Sequence, residues 1–286
     1  MELQIIQVPY DSGHRNFRMG NGPAHIVNRG LKKLGQPAIH TEEVVVDDHV
    51  PQEVSTTFQV AHELAARVQQ AVNQNRIPIV LAGNCMSSLG TLAGLDSPVG
   101  VVWLDAHGDL NTPESTLSGF LDGMALATIT GRCWSNLLST FPGFEPVADR
   151  QVILLGARDF DPAERQLLEM SAITLVETPQ LRQTSVESAL QSTLERVCHL
   201  TPKIYLHIDL DVLDVSEACV NHYSSSGGLT VAELLRVVRF VCSHSSVAAA
   251  AITAYDPATD EGDRALNAAA DIVALLSDLA GRPMKT

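Results

Sequence analysis

Short apolar runs alternate with helical patterns along most of the chain. The runs that predict strands are ELQIIQVPY, IPIVLAG, VGVVWLDAH, RQVILLGARD, AITLVE, KIYLHIDLDVL and AAAAITAYDP. Apolar residues recur at helical spacing between them, as in VSTTFQVAHELAARVQQAVNQN and SVESALQSTLERVCHL, and GPAHIVNRGLKKLG is predicted to be a helix with Gly35 after it. Strands that are apolar on both faces and alternate with helices are typical of a parallel sheet covered on both sides. The pattern therefore predicts a three-layer α/β/α fold with a central, mainly parallel sheet.

Nothing in the sequence divides this alternation into separate units. The 286 residues contain no linker, low-complexity tract or shift in composition, so we predict a single domain over residues 1–286. Hydrophobic residues make up 45% of the chain and charged residues 18%, a balance that favours a folded protein with a large core over a disordered one.

Charge and cysteine usage narrow the class of protein. The chain has 19 Lys and Arg against 33 Asp and Glu, a net charge of −14, and no basic run that could neutralise phosphates. We therefore expect no nucleic-acid partner and no membrane partner, whereas a site for cations is compatible with this balance. The five cysteines are scattered without a CxxC pair, and the chain shows neither a secretory signal nor an apolar run long enough to cross a bilayer. These features predict a cytoplasmic protein without a disulfide framework.

Acidic residues follow two of the apolar runs, at the strand ends where open parallel sheets bind ligands. WLDAHGDLN places Asp105, His107 and Asp109 at alternate positions, so that an extended chain projects them to one side. HIDLD repeats the arrangement with Asp209 and Asp211. A single Asp here could be a helix cap or a turn residue, but four carboxylates in one pocket would repel unless a cation neutralised them. The paired clusters predict a metal site, and oxygen ligands with imidazole suit Mn²⁺ better than a structural Zn²⁺.

These motifs resemble those of the arginase, or ureohydrolase, family of binuclear manganese amidinohydrolases. DAHGDLNTPESTLSG is similar to the family's D-A-H-x-D metal motif and the arginase-type N-T-P-x-x-T-x-S-G segment. HIDLDVLD is similar to the second metal motif, S-x-D-x-D-x-x-D-P, with His207 in place of Ser and Val215 in place of Pro. GHRNFRMGNGPAHI, LGARDFDPAE and SSGGLTVAE resemble three further family segments in the same order. The resemblance implies an arginase-like fold and hydrolysis of a guanidino C–N bond.

The resemblance also implies two Mn²⁺ ions, with the alternative that only one of them is tightly bound, and a set of ligands for them. Five of the six family ligand positions are filled, by Asp105, His107, Asp109, Asp209 and Asp211. The sixth lies in the motif G-G-D-H-S, and counting back from Gly90 in LAGNCMSSLG places Cys85 on its His and Asn84 on its Asp. A thiolate can bind a divalent metal, although a free Cys is more often a small buried apolar residue. We predict that Cys85 is a ligand of the first metal.

Cys at this position is typical of one branch of the family, the Nω-hydroxy-L-arginine amidinohydrolases of antibiotic biosynthesis. The segment SGFLDGM is also similar to that branch, because an aromatic residue follows the Gly and the usual catalytic His is absent.

The part of the predicted site that binds an amino acid matches the arginase pattern. Asn111, Thr116 and Ser118 fall where arginases hydrogen-bond the substrate α-carboxylate, and Asp161, with Glu164 nearby, falls where they hold the α-ammonium. NTPES is also an ordinary turn sequence, and the turn could serve both purposes. We therefore predict a small-molecule amino-acid substrate, and the resemblance implies a homo-oligomer, either a trimer or a hexamer.

The guanidine end departs from the family pattern. Asp122 replaces the family His, Phe120 replaces an Asn, Tyr223 replaces a Thr, and Ala254 stands where a family Glu grips the guanidinium. We predict two catalytic residues: Asp109, which passes a proton to the leaving amine, and Asp122, which substitutes for the missing His. The expected reaction is hydrolysis of Nω-hydroxy-L-arginine or an arginine-like substrate to ornithine and hydroxyurea or urea. Two alternatives stay open: an amidinohydrolase for a different guanidino, amidine or ureido compound, and a degenerate relative with a regulatory or binding role.

Overall fold

Eight parallel strands form the central sheet of the computed structural model, which describes residues 2–32, 40–46 and 52–280. The strands of this described part are β1 (Glu2–Val8), β2 (Tyr10–Asp11), β3 (His14–Arg15), β4 (His40–Glu43), β5 (Arg76–Ala82), β6 (Gly100–Leu104), β7 (Val152–Leu155), β8 (Thr174–Val176), β9 (Lys203–Asp209) and β10 (Ser246–Thr253). The order in the sheet is β4-β1-β5-β10-β9-β6-β7-β8, whereas β2 and β3 form a separate antiparallel pair. Every strand pair within the sheet is parallel, as predicted.

Helices flank this sheet. The α-helices of the described ranges are α1 (Gly22–His25), α2 (Glu53–Asn73), α3 (Ser87–Ala93), α4 (Ala125–Ile129), α5 (Ser135–Leu138), α6 (Pro162–Met170), α7 (Thr178–Gln183), α8 (Val186–Leu200), α9 (Val231–His244) and α10 (Arg264–Ala280). A π-helical turn (Ile26–Leu31) continues α1, so the helix predicted there is confirmed as far as Leu31, while Gly35 lies outside the described residues. No described helix is both long enough and apolar enough to cross a membrane.

The strand side chains alternate between two apolar layers because successive residues of a strand point to opposite faces of a sheet. On one face, residues such as Leu104 and Leu206 pack with α8, α9 and α10. On the other face, Trp103 and Tyr205 belong to a second cluster with residues of α2, α3 and α4. The sheet is thus the middle of three layers, which confirms the predicted α/β/α fold.

The parallel topology gathers the strand ends that carry the predicted site residues. β10 lies between β5 and β9, and β6 pairs with the other side of β9. Leu104 is in register with Ile208, and Thr253 with Asp209, so the segments that follow these strands start side by side. The loops after β5, β6, β9 and β10 therefore meet at one edge of the sheet.

Candidate active site

A cavity of about 280 Å³ lies at this carboxyl edge of the sheet. Each predicted site residue lines it except Thr116, which does not belong to the described cavity wall. Met19, Phe120, Asn221, Tyr223 and Ala254 complete much of the remaining wall. The structure thus brings together residues that are more than 100 positions apart in the sequence, from the loop after β5 to the loop after β10.

His107 lies between two carboxylates at the centre of the cavity. Its Nδ1 is 3.3 Å from Asp105 Oδ1 and 3.4 Å from Asp211 Oδ2. Backbone N–H groups hold the same carboxylates in place: His107 donates to Asp105 Oδ1 at 2.8 Å, and Ala106 donates to Asp211 Oδ1 at 3.2 Å. Asp209 Oδ1 in turn accepts from the backbone N–H of Asp211 at 2.8 Å. The loops after β6 and β9 therefore fix these side chains in one cluster.

The cluster is short of positive charge. Burial and the neighbouring carboxylates raise the pKa values of Asp105, Asp109 and Asp209, the last two well above the usual range. Burial raises the pKa of Asp211 as well, but the charge of His107 and its hydrogen bond outweigh this and leave that pKa lowered. For His107 burial acts against protonation, yet the charges of Asp211 and Asp105 raise its pKa far above the ordinary value. A cation in the cavity would relieve this repulsion.

One carboxylate oxygen of the cluster lacks a hydrogen-bond partner among the described residues. Asp109 is 5% exposed, and its Oδ2 is buried without a hydrogen-bond partner among the described residues. A buried carboxyl oxygen without a partner is costly unless a cation or a hydrogen-bond donor completes the site. Asp109 also has a φ of 51°, in the left-handed region that non-glycine residues rarely adopt. The donor set and this unpaired oxygen fit a divalent metal.

Cys85 lies in the turn between β5 and α3 and is 2% exposed. Its Sγ is 3.0 Å from Asp209 Oδ2 and 3.1 Å from Thr253 Oγ1. Burial and the charge of Asp209 raise the pKa of the Cys85 thiol well above its usual value. Cys85 is therefore a thiol, and it donates a hydrogen bond to Asp209. The sulfur lies against the carboxylate cluster, as its predicted role requires.

The sequence did not single out His207 and Thr253 as site residues, although both lie against this cluster. His207 is fully buried, its ring stacks on Trp103, and burial lowers its pKa to about 3. Trp103 donates its indole N–H to Asp105 Oδ2 at 3.0 Å. The only sequence signal for His207 was that it replaces a Ser in the second metal motif.

Asp122 is hydrogen-bonded to the two residues that flank Cys85 in the turn between β5 and α3. Its carboxylate accepts hydrogen bonds from Asn84 Nδ2 at 2.9 Å and from the backbone N–H of Met86 at 3.0 Å. Burial raises the pKa of Asp122 to about 8 in spite of these two donors. Asp122 is thus a carboxyl group that can exist in either protonation state near neutral pH.

The predicted amino-acid end is a separate hydrogen-bonded group on the cavity wall. Asn111 Nδ2 donates to Asp161 Oδ2 at 2.9 Å, and Asp161 is the residue that precedes α6. Glu164 uses both of its oxygens on backbone donors, with Leu110 N–H at 2.8 Å and Asp161 N–H at 2.9 Å. Glu164 therefore ties the start of α6 to the loop after β6, a role that sequence reasoning did not foresee.

Two predicted hydroxyl groups lie in the loop beyond Asn111. Thr116 Oγ1 accepts from the N–H of Gly119 at 3.0 Å, and Ser118 Oγ accepts from the N–H of Phe120 at 3.1 Å. Each hydroxyl keeps its own proton for donation. Ser118 lines the cavity, whereas Thr116 belongs to the turn behind it.

The mouth of the cavity is aromatic. Phe120 and Tyr223 stack with ring centroids 5.3 Å apart, and Tyr223 is 40% exposed. Asn221 fixes the base of this loop, since its Nδ2 donates to the carbonyl of Ala254 at 2.8 Å and its Oδ1 accepts from Tyr223 N–H at 2.8 Å. Phe120 and Tyr223 thus line the cavity at two positions that depart from the family pattern.

Comparison with known proteins assigns the family. A sequence model of the Arginase family matches residues 1–277. The chain belongs to the arginase family. It is 28% identical over 299 residues to an arginase of Bacillus caldovelox, with 99% of each chain covered. The structure of an arginase from Bacillus cereus matches it with a TM-score of 0.85 and 28% identity, over 100% of both chains. A formimidoylglutamase from Bacillus subtilis, at 21% identity and a TM-score of 0.80, covers 99% of this chain and 89% of its own and shares the fold.

Membership carries the general chemistry of the family. Members are hydrolases that act on C–N bonds in linear amidines, and this protein is such an arginase-family ureohydrolase. The family depends on a binuclear manganese centre, binds small-molecule substrates and is typically oligomeric. Two groups of side chains could hold a metal ion in the described residues, one formed by Asp105, His107 and Asp211 and one by Cys85, Asp105 and His207.

Proposed function

We propose that this protein hydrolyses the guanidino group of an L-amino acid, with Nω-hydroxy-L-arginine or a similar compound as substrate and two Mn²⁺ ions as cofactor. The observation that carries the proposal is the cavity itself. Four carboxylates, His107 and Cys85 converge at its floor, and the Asn111–Asp161 pair lies on its wall. The products are ornithine and hydroxyurea, or urea from an arginine-like substrate. We further propose that residues 1–286 form one domain and that copies of the chain assemble into a trimer or hexamer.

Each ion has a set of candidate ligands. The first set is Cys85, Asp105, Asp109 and Asp209, and the second set is Asp105, His107, Asp209 and Asp211. Asp105 and Asp209 are common to both sets, in keeping with their neighbouring positions at the ends of β6 and β9. Bound Mn²⁺ supplies an acidified water molecule at neutral pH and positive charge that stabilises developing negative charge.

Two carboxyl groups of the chain are the candidates for proton transfer in this reaction. Hydrolysis forms a bond between a water oxygen and the guanidine carbon, breaks a C–N bond, and moves a proton from water to the leaving nitrogen. Asp109 is the candidate carrier, because its Oδ2 has no other partner in the described residues and its raised pKa makes protonation accessible. Asp122, with a pKa of about 8, supplies a second carboxyl group that can give or take a proton.

The two ends of the cavity support the choice of substrate. Asn111, Ser118 and Asp161 offer an amide, a hydroxyl and a carboxylate suited to an α-carboxylate and α-ammonium, and Thr116 supports their loop. At the other end Ala254 offers no charge to a guanidinium cation. An electron-withdrawing N-hydroxyl makes a guanidine less basic, so an N-hydroxyguanidine depends less on a carboxylate there, and the two-state carboxyl of Asp122 can hydrogen-bond the hydroxyl group.

Ala254 also favours a second candidate function, hydrolysis of an uncharged ureido group on an amino acid. Such a substrate would use the same metal ligands and the same Asn111–Asp161 end. The two candidates differ only in the group that enters the guanidine end of the cavity.

A substrate screen tests both candidates. The Mn²⁺-reconstituted protein is incubated with Nω-hydroxyarginine, arginine, citrulline, agmatine and guanidinobutyrate, and ornithine, urea and hydroxyurea are measured by mass spectrometry. We expect the fastest turnover with Nω-hydroxyarginine and none with the two compounds that lack the amino-acid group. Asn111→Ala should weaken binding of the preferred substrate by about 1 to 3 kcal/mol. Faster turnover of agmatine than of arginine, or no turnover of any of these compounds by the Mn²⁺-reconstituted protein, would reject the proposal.

A further inference from the structure

His207 lies directly below the carboxylate cluster, and the proposed mechanism gives it no role. It is two residues before Asp209 on β9 and is fully buried. Its ring stacks on Trp103, with centroids 3.6 Å apart and an interplanar angle of 11°. Because Trp103 also donates to Asp105, the indole orients both the imidazole and a carboxylate of the cluster.

A nitrogen of His207 is within reach of an ion held by the cluster. The ligand atoms of Cys85, Asp105 and His207 all lie within 4.8 Å of one another. Metal bonds to nitrogen, oxygen and sulfur ligands are about 2.0 to 2.3 Å long, so two ligands of one ion are at most about 4.6 Å apart. The three side chains thus need only small movements to bind the same ion.

One tautomer of His207 makes Nε2 available to a metal ion. Tyr205 Oη lies 3.0 Å from His207 Nδ1. When the proton is on Nδ1, this N–H donates to the Tyr205 oxygen. With the proton on Nδ1, Nε2 presents its lone pair on the side of Cys85. An imidazole whose N–H is held by a neighbouring acceptor is the form in which histidine binds metals.

Nε2 has only a weak partner in the described structure. The Thr253 hydroxyl is 3.4 Å from Nε2, but it is closer to Cys85 Sγ, at 3.1 Å. An oriented and uncharged nitrogen without a short hydrogen bond is therefore buried beside Cys85 and Asp105.

We propose that Nε2 of His207 is a ligand of the first metal ion, alongside Cys85 and Asp105. The inference rests on the metal centre of the proposed function and adds an imidazole to it. A neutral nitrogen donor fills a coordination position without adding to the negative charge that the carboxylates and a thiolate place around the ion. It also makes the first position a mixed nitrogen, oxygen and sulfur site rather than one of oxygen and sulfur alone.

The test measures metal binding rather than turnover. The metal-free full-length protein is titrated with Mn²⁺ by calorimetry as wild type, as His207→Phe and as His62→Phe. Phe keeps a flat ring against Trp103, and His62 is a matched control because it stacks on Phe141, with centroids 3.9 Å apart, away from the cavity. We expect His207→Phe to weaken binding of one ion by about tenfold or more and to leave the other unchanged. Equal affinities for both ions in His207→Phe and the wild type would overturn the proposal.

A second measurement does not depend on folding of the variant. Crystals of the Mn²⁺-loaded wild-type protein give anomalous difference peaks at the ions, and a peak within bonding distance of Nε2 is the expected result. Two ions held by Cys85 and the carboxylates, with Nε2 beyond bonding distance of both, would reject the role of His207 and keep the proposed function. A wild-type protein that binds no Mn²⁺ in the titration would reject both.

Discussion

Replacing Glu164 with Gln tests whether this buried side chain holds the site together or binds substrate. Glu164 is 5% exposed and accepts two backbone hydrogen bonds, from Leu110 at 2.8 Å and from Asp161 at 2.9 Å. Gln has one acceptor oxygen, so one of these N–H groups would face an NH₂ group. The lost bond to a charged acceptor is worth about 1.5 to 3 kcal/mol, and a buried unpaired N–H costs about 1 to 3 kcal/mol. Part of this loss is offset because Gln has no charge to bury, and burial raises the pKa of Glu164.

We therefore expect Glu164→Gln to lose about 2 kcal/mol of stability, which for a chain of this size lowers Tm by about 3 to 4 °C. The control is Glu169→Gln, an exposed residue of the same helix α6, which should change stability by less than about 0.5 kcal/mol. Both variants are melted by differential scanning calorimetry, and KM is measured for the substrate found in the screen. A Tm equal to that of the control would refute the reasoning. A rise in KM with that same Tm would assign Glu164 to substrate binding, as the sequence predicts.

Three further predictions concern the metal centre. The metal-free protein should melt at a lower temperature at pH 8 than at pH 5, because burial raises the pKa of Asp122 to about 8 and that of Asp109 well above its usual value. Carboxyl groups with raised pKa values contribute stability below the pKa that they have in the unfolded chain, and this stability is lost as the pH rises through their pKa in the folded protein. A Tm that increases from pH 5 to pH 8 would contradict the prediction. Added Mn²⁺ should abolish the decrease in Tm. Cys85→Ser should bind one ion less tightly and Cys85→His should retain both, as measured by metal analysis after dialysis, whereas unchanged metal content and rates in Cys85→Ser would show that the sulfur only packs. Trp103→Phe should lower metal affinity by about 10- to 100-fold, because it removes the indole donor to a ligand carboxylate, and an unchanged calorimetric titration would disprove that role.

The sequence was sufficient to locate the carboxylate cluster because its signal is local. Asp105 directly follows β6 and Asp209 ends β9, and parallel strands end at the same edge of a sheet, so the pattern predicts that both lie at that edge. The pairing of β6 with β9 then makes them neighbours. The order β5-β10-β9 supplies the rest, since it places Cys85 beside Asp209 and Thr253.

His207 shows what such a pattern leaves out. Within KIYLHIDLD it occupies an ordinary inward position of a buried strand, and strand periodicity is the same for a core histidine and for a metal ligand. Its position beside Cys85 depends on side chains from several strands, and the role of its ring nitrogens depends on the contact of Nδ1 with the Tyr205 hydroxyl. Cys85 and His207, both departures from the metal motifs, turn out to be spatial neighbours, which no single motif could indicate.

The backbone beside the cavity points to a conflict between heat resistance and catalysis. Asp109 and Ala254 adopt φ values of 51° and 62°, a left-handed conformation that costs a residue with a Cβ atom roughly 1 to 2 kcal/mol. The carbonyl of Ala254 is held by Asn221, whose Nδ2 also lies 3.4 Å from Asp211 Oδ2. Glycine at position 254 would relieve the strain and also allow this turn more freedom. Selection for thermal stability alone should therefore replace residues in these strained turns with glycine early. The protein would then resist heat better while the loops that carry its metal ligands became less well ordered.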